Sequence, residues 1–418
     1  MKISFKEMVT LTFLLYGLSI GVLIIPSLLY KPVVLGNIFA FIVLILRIKN
    51  LKIRLHIKKS SNSFFLLIIY LGFYAFFSFS HSIDMIMKPR VVLSIINLTF
   101  FAFLFSFILL TLSWSELQKV IQAYVVFAFV MSLFGLVAWI LLHSGYVQKG
   151  EFTFNLFNAT NGKMSRDAEW ETGGYDAPYN LGLILTRNMQ YNFFGFWYWR
   201  ASGWAHEPTT ATLFVTPALI ILALNKKIFS KVFRKVFFIT ILCFWFACSA
   251  VGSIVAVLAL TVFGAIIQFM RSGRAIAIAS VIITIVVVVI GIAFFGIVYD
   301  VNFTLSSLPL IKSKFYDHTG SVELAKRVFF WFLYPVSWFG IVKNIMLYLY
   351  ILLMIIQSLK GILKGKIQAV YGYVCLYFIL HALKGSWYHV NSYILTLFFF
   401  YILIFYRQKR LYYSGPHK

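Results

Sequence analysis

Long apolar runs separated by short basic links dominate this chain, and two polar intervals interrupt them. Runs of roughly 17 to 25 apolar residues match the length a helix needs to cross a hydrocarbon core about 30 Å thick. The pattern predicts helices over about 8–29 and 33–46, then over about 63–80, 91–111 and 120–142. A sixth covers about 209–224. The stretch from Val236 to Met270 is too long for one untilted helix and carries the small-residue run ACSAVGS, which predicts a break and two helices. Further helices are expected over about 275–298, 338–358, 368–384 and 391–406. The fold class expected is therefore an all-α polytopic membrane protein with about twelve transmembrane helices and two large outer loops.

This pattern divides the chain into five regions. Residues 1–142 form an N-terminal region of five helices, and 143–208 the first large outer loop. Residues 209–298 carry helices six to nine, 299–337 form the second outer loop, and 338–418 hold the last three helices and a basic tail.

Composition supports the membrane reading. The chain is 61% hydrophobic and only 12% charged, against about 25% charged residues in ordinary soluble domains. Its net charge of +25 would suggest nucleic acid in a soluble protein, so the placement of the charges decides. With a cytoplasmic N-terminus, the segments on the inner side hold 23 of the 37 Lys and Arg, and only Glu7 and Glu116 among the acids. That is the positive-inside bias of a membrane protein, and no nucleic acid is needed to explain it. Both termini are expected in the cytoplasm. The apolar run after Lys6 continues to Tyr30 without a small-residue cleavage site, so it reads as a span and not a signal peptide. Cys243, Cys248 and Cys375 lie inside apolar runs, with no pairing or ligand spacing, and read as small core residues.

Candidate chemistry concentrates in the outer loops. Together they carry nine of the twelve acids, whereas helix interiors hold almost no ionisable groups, unlike an ion-coupled transporter. The first loop ends in RASGWAHEP, residues 200–208, directly before an apolar run. Arg200 has two readings: it snorkels to lipid phosphate, or its planar fork binds a pyrophosphate bidentately in place of a metal. Glu207 is a general base or caps the helix that starts near Thr209. The preceding aromatic stretch, Tyr191 to Trp204, is a membrane-interface belt or a platform for sugar rings. No nucleotide-sugar motif, Walker loop or zinc pattern is present, so neither a metal nor a cofactor is expected.

The order Arg200, Gly203, Glu207, Pro208 forms an R-x-x-G-x-x-x-E-P pattern that closes an outer loop and opens a transmembrane helix. It resembles the bacterial O-antigen polymerase (Wzy) and O-antigen ligase superfamily. The second outer loop adds RVFFW from Arg327 to Trp331, with Gly340 beyond, similar to a second element of that superfamily. The resemblance implies a GT-C-like fold and metal-independent glycosyl transfer at the outer face of the cytoplasmic (inner) membrane. Donor and acceptor would be undecaprenyl-pyrophosphate-linked oligosaccharides, with a chain-length regulator and a flippase as partners. Arg200, Glu207 and Arg327 would be catalytic, the arginines stabilising the leaving pyrophosphate and Glu207 taking the acceptor proton. His206 and His318 are fallback bases. Gly203, Trp204, Arg187, His381 and Lys384 complete the substrate-binding set. The ligases carry a histidine shortly after the second-loop glycine; this chain reads GIVKNIMLY there, which favours polymerase over ligase. The alternative of another class is a lipid-linked oligosaccharide flippase or polysaccharide exporter, which needs a charged cavity within its spans.

Overall fold

The computed structural model describes residues 4–19, 32–48, 89–146, 179–180, 184–193, 196–205, 208–271, 352–363, 365–385 and 396–404. Helices α1 (Phe5–Ser19), α2 (Pro32–Ile48), α3 (Pro89–Thr111) and α4 (Trp114–His143) come first. Strands β1 (Tyr179–Asn180), β2 (Ile184–Phe193) and β3 (Phe196–Gly203) follow. Then come α5 (Pro208–Leu224), α6 (Lys231–Cys248), α7 (Val251–Arg271), α8 (Leu352–Leu363), α9 (Lys366–Gly385) and α10, residues 396–404. The described chain is mostly helical. Of its helices, Trp114–His143 is long and apolar enough by itself to cross a membrane, while runs such as Pro208–Leu224 and Ile367–His381 are apolar but shorter. The spans expected over 63–80 and 275–298, and most of that over 338–358, lie outside the described residues.

The expected break in ACSAVGS is present. α6 ends at Cys248, Ser249 takes a left-handed φ of 46°, and α7 starts at Val251. The Ser249 N–H donates to the Phe246 carbonyl, closing the helix end.

Two reciprocal caps organise one end of the bundle. At the start of α4 the Glu116 N–H donates to the Ser113 hydroxyl, and the Ser113 N–H donates to the Glu116 carboxylate. Ser4 and Glu7 form the same pair at the start of α1. Each capping glutamate also binds a cation from another helix. Glu7 meets the Lys119 ammonium of α4 at 2.7 Å, and Glu116 meets Arg47, near the end of α2, at 3.1 Å. Arg47 also donates to the Thr111 carbonyl at the end of α3. The Gln122 amide donates to the Ile228 carbonyl in the α5–α6 turn. The segments carrying Glu7, Arg47, Lys119 and Lys226 therefore gather at one basic end.

The opposite end holds an element the apolar pattern did not predict. β2 pairs with β1 and β3 in a small antiparallel sheet, order β1-β2-β3, where a loop was expected. Phe193 stands opposite Phe196, Asn192 opposite Trp197, and Tyr191 opposite Tyr198. Aromatic residues favour a pleated surface, so the density read as a belt or sugar platform also encodes a hairpin. β3 packs against α4, α5 and α6. Non-helical backbone of this kind is compatible with a bilayer only when wrapped by protein.

The core joins the helices through aromatic contacts. Phe13 of α1 meets Phe101 of α3 edge-on at 5.7 Å, and Tyr124 of α4 meets Phe214 of α5 at 5.0 Å and Phe400 of α10 at 5.7 Å. Pro217 removes one donor from the middle of α5. Hydroxyls from neighbouring helices bond carbonyls on the same stretch: Tyr124 donates to Phe214 and Tyr377 to Thr212.

Candidate functional site

The hairpin places Arg187 of β2 directly opposite Arg200 of β3. An irregularity follows immediately, since the next register pair is Gln190 with Trp199. Bulges of this kind re-aim strands and are common beside functional sites. Directly opposed residues of one antiparallel pair have their Cβ atoms about 4.5–5.5 Å apart, and like charges there repel.

Arg200 is buried rather than snorkelling, with 5% of its surface exposed. Its Nε donates to the Cys248 carbonyl at 2.8 Å. Cys248 is the last residue of α6, so the guanidinium sits against the negative end of a helix dipole. The left-handed turn at Ser249 ends α6 there and leaves that carbonyl for the arginine.

Gly203 ends β3 with a φ of 54°. A Cβ there would lie 3.0 Å from the Phe244 ring and 3.2 Å from the Met131 side chain. Gly135 of α4 faces it, and a Cβ on Gly135 would come within 3.2 Å of the Gly203 Cα and 2.3 Å of Phe244. Two glycines thus let the strand end and α4 touch. Trp204 is buried beside this contact, its ring 5.6 Å from Phe127 and 5.8 Å from Phe134. It serves as a packing anchor on α4. Its indole nitrogen has no hydrogen-bond partner among the described residues, nor has the buried Thr210 hydroxyl.

A layer of hydroxyls lies nearby, on the first turns of α5 and α7 and on α9. Ser253 of α7 donates to the Thr212 hydroxyl at 2.6 Å and lies 2.9 Å from the Tyr377 hydroxyl of α9. Tyr377 donates to the Thr212 carbonyl at 3.1 Å. One turn deeper the Trp245 indole of α6 donates to Thr216 at 3.0 Å. His381 is fully buried on α9, its ring 5.6 Å from that of Tyr377. It lies within the helix expected over about 368–384, next to the hydroxyl layer. Lys384 is on the same helix, three residues further on.

The structure therefore brings Arg187, Arg200, Gly203 and Trp204 together on one hairpin and sets His381 beside a separate buried polar layer. His206, Glu207, His318 and Arg327 lie outside the described residues. The sequence reading passed over Thr212, Ser253 and Tyr377. A usable signal existed: Thr209, Thr210, Thr212 and Thr216 are dense for an apolar helix. Cys248 and Cys375 are buried as expected of core residues, while Cys243 is exposed on α6; all three are free thiols.

No family model, curated protein or solved structure matches this chain.

Proposed function

We propose that this chain is a polytopic membrane glycosyltransferase that polymerises lipid-linked glycan repeat units at the outer face of the bacterial cytoplasmic membrane, within about twelve spans. The observation that carries this reading is the register pairing of Arg187 with Arg200, the latter buried at the end of α6. Two arginines at register-paired positions of one hairpin suit a dianion such as a pyrophosphate. Support for membrane embedding comes from large apolar side chains exposed along α4 and α6, among them Leu133, Val137, Ile140, Val232 and Ile239. Further support comes from the basic end, which gathers the Lys- and Arg-rich links.

In the proposed transfer the acceptor hydroxyl gives its proton to Glu207 while its oxygen bonds to the anomeric carbon of the donor glycan. The bond from that carbon to the pyrophosphate oxygen breaks, and undecaprenyl pyrophosphate leaves with the electron pair. Arg200 and Arg327 meet the charge that develops on it. A good leaving group of this kind needs no strong general acid.

Arg200→Lys tests the reading, because an ammonium keeps the charge but not the planar fork. Polymer synthesis is expected to fall about a hundredfold at normal protein level, with single lipid-linked repeat units accumulating. Normal polymer from this variant sinks the proposal. Finished, unattached chains in a deletion strain would indicate a ligase, and units trapped on the inner leaflet a flippase.

A further inference from the structure

At the basic end, a cleft of about 720 Å³ opens between the start of α4, the α5–α6 turn and the start of α9. Lys226, Lys227 and Gln118 line it with polar groups, and Leu224, Ile367 and Val370 with apolar ones. Both lysines are exposed, and neither pairs with an acid among the described residues. The acids at this end, Glu7 and Glu116, are committed to Lys119 and Arg47. Trp114 and Tyr371 also line the cleft, their rings meeting edge-on at 6.5 Å. Such rings are at home where water meets hydrocarbon.

From this we propose that the cleft binds the phosphodiester headgroup of an anionic phospholipid. The lysines supply charge for the phosphate, and Gln118 a hydrogen-bond donor. Leu224, Ile367 and Val370 give hydrocarbon adjoining the headgroup a surface that a free phosphate would not use. Basic pockets between helices at the inner side of a bilayer suit such a ligand. The inference uses only the membrane-embedded part of the reading above, not the transferase activity.

The test is native mass spectrometry of the full-length protein in a non-ionic detergent, titrated with phosphatidylglycerol, phosphatidylethanolamine or inorganic phosphate. The wild type is expected to retain one phosphatidylglycerol in preference to phosphatidylethanolamine. Lys226→Gln with Lys227→Gln is expected to weaken that binding about thirtyfold, the effect of two basic residues at a membrane surface. Lys226→Arg with Lys227→Arg keeps the binding. So does Lys231→Gln with Lys235→Gln, which removes the same charge from exposed positions of α6. Equal retention by wild type and the first variant, or no headgroup preference in the wild type, overturns the proposal. Inorganic phosphate that binds as firmly and displaces the lipid overturns it in favour of a free-anion site. An alkaline carbonate wash separates the two readings: release of the protein from membranes defeats the embedding, whatever lipid the purified protein prefers.

Discussion

Gly203 carries two constraints at once, a positive φ and a neighbour on each side of its missing Cβ. Alanine would meet both, so Gly203→Ala is expected to destabilise the protein by about 1–3 kcal/mol. A lower midpoint in the thermal unfolding of detergent-solubilised protein would show it, and an unchanged midpoint would contradict the packing of Gly203 against Phe244 and Met131. The glycine was legible in the sequence as one member of a motif, but its structural task was not, because Phe244 and Met131 reach it from distant helices. Arg200 is similar. Its residue type pointed to anion binding, while its burial and its bond to Cys248 depend on where α6 ends. Trp204 was read as a substrate contact, and the structure packs it on Phe127 and Phe134.

Among the elements, α1 and α4 begin with the same Ser-x-x-Glu cap and lend its acid to a neighbouring helix. The Glu7 carboxyl is held at about 2, first by the hydrogen bond from the Lys119 ammonium and then by the Ser4 N–H. Its ordinary value is 4.5, so the folded value lies below the unfolded one. The tie therefore adds stability above pH 4.5 and is lost as the pH falls towards 2. Glu7→Gln should remove this contribution. Between pH 4.5 and 2 the wild-type melting temperature is expected to fall more steeply than that of the variant. Parallel curves would show that the Glu7–Lys119 pair does not link α1 to α4 in solution.

The helices themselves were the readable elements. Apolar run length marked α2, α3, α4 and α5 closely, and small residues marked the α6–α7 break, since desolvation and helix breaking are local properties. The hairpin escaped because β2, ILTRNMQYNF, mixes polar with apolar residues inside an interval whose overall polarity marked it as a loop. The strand pairing, Phe193 with Phe196 and Arg187 with Arg200, is a matter of register that local hydropathy does not carry.

Across the whole molecule, two layers tie the bundle at its opposite ends. At one end ion pairs join α1, α2 and α4, while the other has hydroxyls bridging α5, α7 and α9. Tyr377→Phe leaves the shape of the second layer intact but strips the donor from the Thr212 carbonyl and one of two hydroxyl contacts from Ser253. The expected cost is about 1–2 kcal/mol. A thiol-reactive dye can report it: the buried Cys248 and Cys375 should become reactive at a lower temperature in the variant. No change in that onset would mean the hydroxyl layer adds nothing to the packing of α9.

The sequence by itself determined the helical class, the break before α7 and the basic character of one end, because each follows from composition within a few residues. Tertiary structure alone decided that Arg187 pairs in register with Arg200, that Arg200 bonds the last carbonyl of α6, and that Thr212, Ser253 and Tyr377 meet. These contacts join residues from 13 to 165 positions apart. No local pattern encodes them, since they depend on how packed helices and a strand register bring separate segments together.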